Sequence, residues 1–221
     1  MTHLVVIPSI YQPYTDACLR SAHIDPADLL VIDNTVHNRG VAASWNEGAR
    51  RVLDEGRDWL VICSAAMRFA GRGIATFTDQ LALHPTAQAI EAGCDLGWHL
   101  IAIARTTFER VGLFDENYYP AYFEDLDYGL RIRLGFGINY IPGVESWPKV
   151  TVAATLESAA HGIEFCNVTG DGNMLADYYA RKWGGPSGHE RFTDPFGRHD
   201  VGLDWWPPRG HELALPRPNW S

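Results

Sequence analysis

Short apolar runs punctuated by turn residues open the chain. Leu4-Val-Val-Ile7 closes at Pro8 and Leu29-Leu-Val-Ile32 closes at Asp33-Asn34, so each reads as a strand covered on both faces. Between Gly40 and Gly56 the positions Val41, Trp45, Ala49, Val52 and Leu53 recur at helical spacing, and Gly56 is placed to stop that helix. Trp59-Leu-Val-Ile-Cys63 supplies a third strand. Strand, crossover and strand, repeated, predict a parallel sheet with helices on its faces. Ligands of such sheets bind beyond the carboxyl ends of the strands, so the loops 8–13, 33–40 and 64–73 are expected to share one cleft.

The second half is more mixed. Residues 97–104 read as a strand, 106–111 as a short helix, and Leu126, Leu130 and Leu134 as the buried stripe of another helix that Gly135 and Gly137 end. Ile138-Asn-Tyr-Ile141 predicts a further strand and 174–183 a last helix, halted by Gly184-Gly-Pro186. From residue 186 to 221 the chain is rich in Gly, Pro, His and Trp, and an irregular extension packed on the main domain of residues 1–185 is expected.

At 221 residues and 46% hydrophobic, one sizeable core can form. The formal charge of −9 argues against a surface built to hold nucleic acid, because phosphate binding needs concentrated Lys and Arg. Cys18, Cys63, Cys94 and Cys166 have neither CxxC nor zinc-finger spacing and read as reduced core thiols. No apolar run approaches the roughly 20 residues of a membrane span, and no secretory leader pattern is present, so a cytoplasmic protein is expected.

The stretch with most chemical potential is Tyr122-Phe-Glu-Asp-Leu-Asp-Tyr-Gly-Leu-Arg-Ile-Arg133, which sets Glu124, Asp125 and Asp127 within four positions. Acids in a helix's first turn are favoured by the macrodipole by about 0.3–1 kcal/mol. Asp127 can also pair with Arg131 four positions on. A purely structural reading therefore exists. Against it, so many aromatics from Tyr118 to Phe123 would raise a neighbouring carboxyl's pKa toward that of a useful base.

Val111-Gly-Leu-Phe-Asp-Glu116, followed by Glu124-Asp-Leu-Asp127 and Arg131, resembles the acceptor-side signature of family 2 glycosyltransferases. Pro8-Ser-Ile-Tyr11, Val31-Ile-Asp-Asn34 and Asn38-Arg-Gly-Val-Ala-Ala-Ser-Trp-Asn-Glu-Gly48 resemble the family's first strand end, second strand and following turn and helix. Tyr178-Tyr-Ala-Arg-Lys-Trp-Gly-Gly185 resembles a closing helix of some members. The resemblance implies a GT-A fold, a Rossmann-like mixed α/β sheet flanked by helices. It also implies an inverting hexosyltransferase that uses a nucleotide diphosphate sugar, with UDP the favoured nucleotide. It assigns Asp125 as the base that deprotonates the acceptor hydroxyl, with Glu124 and Asp127 orienting acceptor or base. Donor contacts fall to Ser9, Tyr11, Asp33, Asn38, Asn46, Ser64, Ala66 and Arg68, Asp33 accepting from a base ring N–H. For Asn38 and Asn46 a turn asparagine and a helix-packing polar group are equally good readings.

One feature departs from the family. Members carry acids after the third strand to hold Mg²⁺ or Mn²⁺, whereas here Val61-Ile-Cys-Ser-Ala-Ala-Met-Arg-Phe69 has no carboxylate. Three alternatives stay open: a metal kept by other ligands, with His161, Asp125 and Asp127 as candidates, a leaving diphosphate neutralised by Arg68 or Arg72, or a catalytically silent nucleotide-sugar-binding partner module. The acceptor, whether protein side chain, saccharide or modified nucleobase, is not readable. Trp205 and Trp206 suit a core or homodimer contact, and a viral origin with a host-cytoplasmic location is open.

Overall fold

The computed structural model describes residues 1–93, 97–138, 147–157 and 172–198. Its centre is a six-stranded sheet in the order β2-β1-β3-β6-β5-β7. The strands are β1 (His3–Ser9), β2 (Leu29–Asp33), β3 (Trp59–Cys63), β5 (Ala89–Ala92), β6 (Leu100–Ala104) and β7 (Lys149–Val150). Strands β1, β2 and β3 run parallel, β6 runs antiparallel to β3, and β5 and β7 resume the first direction. A short pair, β4 (Met67–Phe69) with β8 (Ala154–Leu156), lies apart.

The apolar runs of β1, β3 and β6 are buried on both faces, as their lack of alternation predicts, while Leu29, Leu30 and Val31 of the edge strand β2 are half-buried. Leu4 and Val6 of β1, Leu60 and Ile62 of β3, and Ile101 and Ile103 of β6 face one core. They pack there against α2 (Val41–Glu55), α4 (Arg105–Val111) and α5 (Glu124–Phe136). Val5, Ile7, Val61, Cys63 and Ala102 face the other core, beside α1 (Gln12–Ala22) and α3 (Ala75–Thr78). Each fully buried Leu, Ile or Val contributes about 1.5–3 kcal/mol relative to exposure. Helix α2 lies directly on the sheet because Gly48 has no side chain: a Cβ there would stand 2.8 Å from Leu60 Cδ1. Cys18 and Cys63 are buried free thiols with sulfurs 3.9 Å apart; Cys94 and Cys166 lie outside the described residues.

Helix α6 (Gly172–Trp183) returns onto α5 through a buried polar cluster. Lys182 Nζ stands 2.8 Å from Asp115 Oδ2 and 2.6 Å from Asp127 Oδ1. Arg131 Nε bonds Asp127 Oδ2 at 3.0 Å, and its two terminal nitrogens bond the carbonyls of Val111 and Leu113. Trp183 and Tyr178 donate to Asp127 and Asp115 in turn. Asp115, Asp127, Arg131 and Lys182 are all fully buried. Only their mutual satisfaction makes that burial tolerable.

Several expectations are corrected. Residues 97–99 form a 3₁₀ turn, so the strand begins at Leu100. Leu126 is 41% exposed, because the inward face of α5 is taken by Glu124, Asp127, Tyr128, Leu130, Arg131 and Ile132. Of the strand expected at 138–141, only Ile138 lies within the described residues. Among the described residues no helix is long and apolar enough to cross a membrane.

Candidate active site

The reversal at β6 builds the site. Cys63 at the end of β3 pairs with Leu100 at the start of β6, so the turn before β6 emerges where β1, β2 and β3 end. Ser64 donates its backbone N–H to the His99 carbonyl at 2.8 Å, fixing that turn against the end of β3. Helix α5 starts at the same mouth, since Asp125 and His99 act on one another electrostatically. A second tie comes from the loop after β2. Val41 N–H bonds the Pro120 carbonyl at 2.8 Å, Tyr119 Oη bonds the Asn38 carbonyl at 3.1 Å, and Gly40 leaves room for the Tyr119 ring, which a Cβ would meet at 2.9 Å.

The chain enters α5 through Tyr122 and Phe123, both left-handed, with φ of 86° and 68°. Bulky residues rarely adopt that region, and such strain persists where the surrounding fold imposes it. Glu124 is turned inward, 6% exposed, while Asp125 is only partly covered. Burial, then the charge of Asp125, push the Glu124 carboxyl up to about 8, against backbone amides of Glu124 and Tyr122 that pull it down. Its Oε2 has no hydrogen-bond partner. Burial also raises the Asp125 carboxyl above its ordinary value, opposed by the backbone amides of Leu126 and Asp125 and by His99. His99 is pushed down by desolvation and up by Asp125.

Asp33 ends β2 exposed, and its Oδ1 takes the backbone N–H and hydroxyl of Thr35 at 2.8 and 2.6 Å, which hold the carboxyl below its ordinary value. Tyr11 is 36% exposed at the end of the loop after β1, edge-on to Tyr14. Ser64 and Ala66 are half-buried in the turn after β3, where the Ala66 N–H reaches Ser64 Oγ at 3.2 Å.

Other assigned residues are committed to structure. Asp127 is fully buried with both oxygens spent on Arg131, Lys182, Trp183 and Tyr118, so it cannot meet an acceptor. Ser9 is fully buried with its hydroxyl 2.6 Å from Thr15 Oγ1, and its carbonyl accepts from Asn34; neither group reaches a ribose. Asn46, also fully buried, joins α2 to the Phe114 backbone N–H and carbonyl at 2.8 and 2.9 Å, the helix-packing alternative. Asn38 caps its own turn by accepting from Gly40 N–H at 2.9 Å. Arg68 lies against the turn after β3, its Nη1 on the carbonyls of Ala65, Met67 and Tyr14, its Nη2 on Glu157, and its guanidinium 5.5 Å from the Tyr14 ring. Arg72 is excluded from the mouth: it is exposed, pairs with Asp79, and adjoins Gly73 and Ile74, which pack on the Ala22 carbonyl at the far end of α1. Residues 70–73 therefore do not line the expected cleft. His161 lies outside the described residues.

A divalent cation does not fit the described residues. Hard ions want several oxygen ligands, with carboxylates foremost, yet residues 64–66 offer one hydroxyl, and no group of three His, Cys, Asp or Glu side chains converges among the described residues. His99 is the residue that sequence reasoning missed. Its signal was available only as a turn residue before an apolar strand, with nothing to show that this strand runs backwards.

The sequence matches no protein-family model and no curated protein. Several solved structures are similar in shape. Three of them are mannosyltransferase PcManGT from Pyrobaculum calidifontis in complex with GDP-Man and Mn²⁺ (TM-score 0.51, 16% identity, 76% of this chain and 61% of that chain); A197 from STIV (0.45, 13%, 71% and 86%); and S. aureus TarS 1-349 in complex with UDP (0.44, 12%, 69% and 61%). This chain thus spans about three fifths of the first structure's length. Together with the six-stranded mixed sheet and its flanking helices, the first likeness identifies the fold as GT-A.

Proposed function

We propose that this chain transfers a glycosyl group from a nucleotide diphosphate sugar to an acceptor hydroxyl, with Asp125 as general base and inversion at the anomeric carbon. The observation that carries the reading is the position of Asp125: partly covered, raised by burial, and beside His99 at the mouth formed by the ends of β1, β2 and β3. Asp33 Oδ2, left over from the Thr35 bonds, is suited to accept a ring N–H from the nucleotide base, UDP being the favoured nucleotide. Tyr11 is suited to cover base or ribose. In the reaction the acceptor oxygen bonds to the anomeric carbon as its proton passes to Asp125. The bond from that carbon to the diphosphate oxygen breaks, and its electron pair leaves with the nucleoside diphosphate. Arg68 is the cation nearest to hand after β3 and would neutralise that leaving group once exchanged from Glu157.

The test has two steps. Thermal stabilisation by UDP, GDP and dTDP and their sugars identifies the donor, since a ligand of the folded form raises its apparent stability. Asp125→Asn should then lower nucleoside diphosphate release by about 10²–10⁴-fold with donor affinity nearly intact. Unchanged turnover in that variant would sink the assignment.

A second reading is a silent nucleotide-sugar-binding module, favoured by one observation: Ala65 and Ala66 stand where the family places its metal-binding acids. Donor stabilisation without any slow hydrolysis of the donor would support it over the first.

A further inference from the structure

Glu124 is the first residue of α5, and its carboxyl is enclosed: 6% of the residue is exposed, and the group accepts from the backbone amides of Tyr122 and Glu124. Oε2 is left without a hydrogen-bond partner. Among the described residues no cation pairs with it. The charges of Arg131 and Lys182, the buried cations of this region, are closed on Asp127 and Asp115. The ionisable group facing Glu124 is Asp125 on its own helix, and His99, from the turn before β6, faces Asp125. A buried carboxylate with no counter-charge and an anionic neighbour is costly to ionise.

We propose that Glu124 stands in the working protein as a neutral carboxylic acid, a positioning residue that leaves Asp125 the ionised member of the adjacent Glu124–Asp125 pair. This rests on Asp125 being the base. A proton held on Glu124 gives one defined proton acceptor in place of two competing ones, and it spares the anionic donor diphosphate a second carboxylate. Ionising Glu124 at alkaline pH places two negative charges against the donor, so donor affinity, more than the chemical step, should fall there.

The experiment uses the full chain labelled with ¹³C at glutamate carboxyls, titrated by NMR without any ligand. One glutamate resonance should keep the shift of a protonated carboxyl through neutral pH, move only near pH 8, and vanish in Glu124→Gln. Asp125→Asn should move its midpoint downward, because the charge that raises it is gone. If every glutamate titrates in the ordinary acidic range, the proposal is overturned whatever the protein's activity. This titration reports on Glu124 alone, whereas turnover of Asp125→Asn reports on the underlying reading, so the two can fail separately. As a functional arm, KM for the stabilising nucleotide sugar should rise above pH 8 in the wild type with kcat little changed. Glu124→Gln, which cannot ionise, should lose that rise, and a KM that climbs above pH 8 equally in both proteins would also overturn the proposal.

Discussion

The backbone N–H of Ser64 meets the carbonyl oxygen of His99 at 2.8 Å, tying the end of a forward strand to the start of a reversed one. That bond brings a segment 35 residues downstream to the face where the parallel strands end, with its imidazole within electrostatic reach of Asp125. The two side chains should report on each other. Because Asp125 raises the His99 pKa, Asp125→Asn should lower the titration midpoint of the His99 ring, read from its NMR signals. Conversely His99→Gln removes an influence that lowers the Asp125 carboxyl, so the acidic limb of the pH–rate profile should move to higher pH. An unmoved His99 midpoint would mean that the two groups do not influence one another.

The cluster linking α6 to α5 carries stability rather than chemistry. Lys182→Met leaves Asp115 and Asp127 sharing a dry site without their ammonium. Removing one partner of such a buried network costs about 3–5 kcal/mol. Urea unfolding should show that loss, and pairing the change with Asp115→Asn should recover part of it.

Asn46 and Asp33 were both candidate donor contacts in the sequence, Asn46 with helix packing as an equal alternative, and their variants should now separate. Asn46→Ala strands the buried N–H and carbonyl of Phe114, costing about 1–3 kcal/mol for each unsatisfied group while leaving donor affinity alone. Asp33→Asn touches an exposed group, so stability should hardly change, whereas donor-induced thermal stabilisation should shrink. Equal donor binding in both variants would remove Asp33 from the site.

Arg68 tests the missing acids. With no group of three His, Cys, Asp or Glu side chains able to hold a metal among the described residues, turnover should survive a chelator. Arg68→Ala should lower it by raising the cost of the departing diphosphate. Abolition by chelator with Arg68→Ala unaffected would point to ligands beyond the described residues.

What the sequence disclosed follows from what side-chain patterning encodes. The runs at Leu4 and Trp59 are buried on both faces, whereas the run at Leu29, on the edge strand β2, is half-buried except at Ile32; Gly56 stops α2 with a positive φ of 65°, as its place predicted. Direction is not encoded that way: the run 100–104 is equally apolar whether it runs forward or back, and its reversal is what brings His99 to the site. The acidic trio was visible as a group, but its division was not. The left-handed backbone at Tyr122 and Phe123 turns Glu124 inward and leaves Asp125 toward the mouth, and no residue in the stretch is a glycine that would advertise such a turn. Asp127 looked like a third working acid because its partners Trp183 and Lys182 lie more than fifty positions away.

The same division of the acids fixes how stability varies with pH. Glu124 has an ordinary value of 4.5 and is raised in the folded chain to about 8. Between those values the folded state holds a proton that the unfolded chain has released, so the folded state is favoured less as pH rises. The contribution is fully present below pH 4.5 and is lost progressively up to about pH 8, beyond which it levels off. Each unit of difference corresponds to about 1.4 kcal/mol, so the wild type should weaken by a few kcal/mol across this window unless paired carboxylates elsewhere offset it. Asp115, held below its ordinary value by Lys182, supplies an opposing slope, but only at the acidic edge. Comparing wild type with Glu124→Gln cancels such background: the difference in unfolding free energy should swing toward the variant as pH rises from 5 to 8 and then stay constant. Parallel stability curves for the two proteins would place the Glu124 proton back in solution at neutral pH.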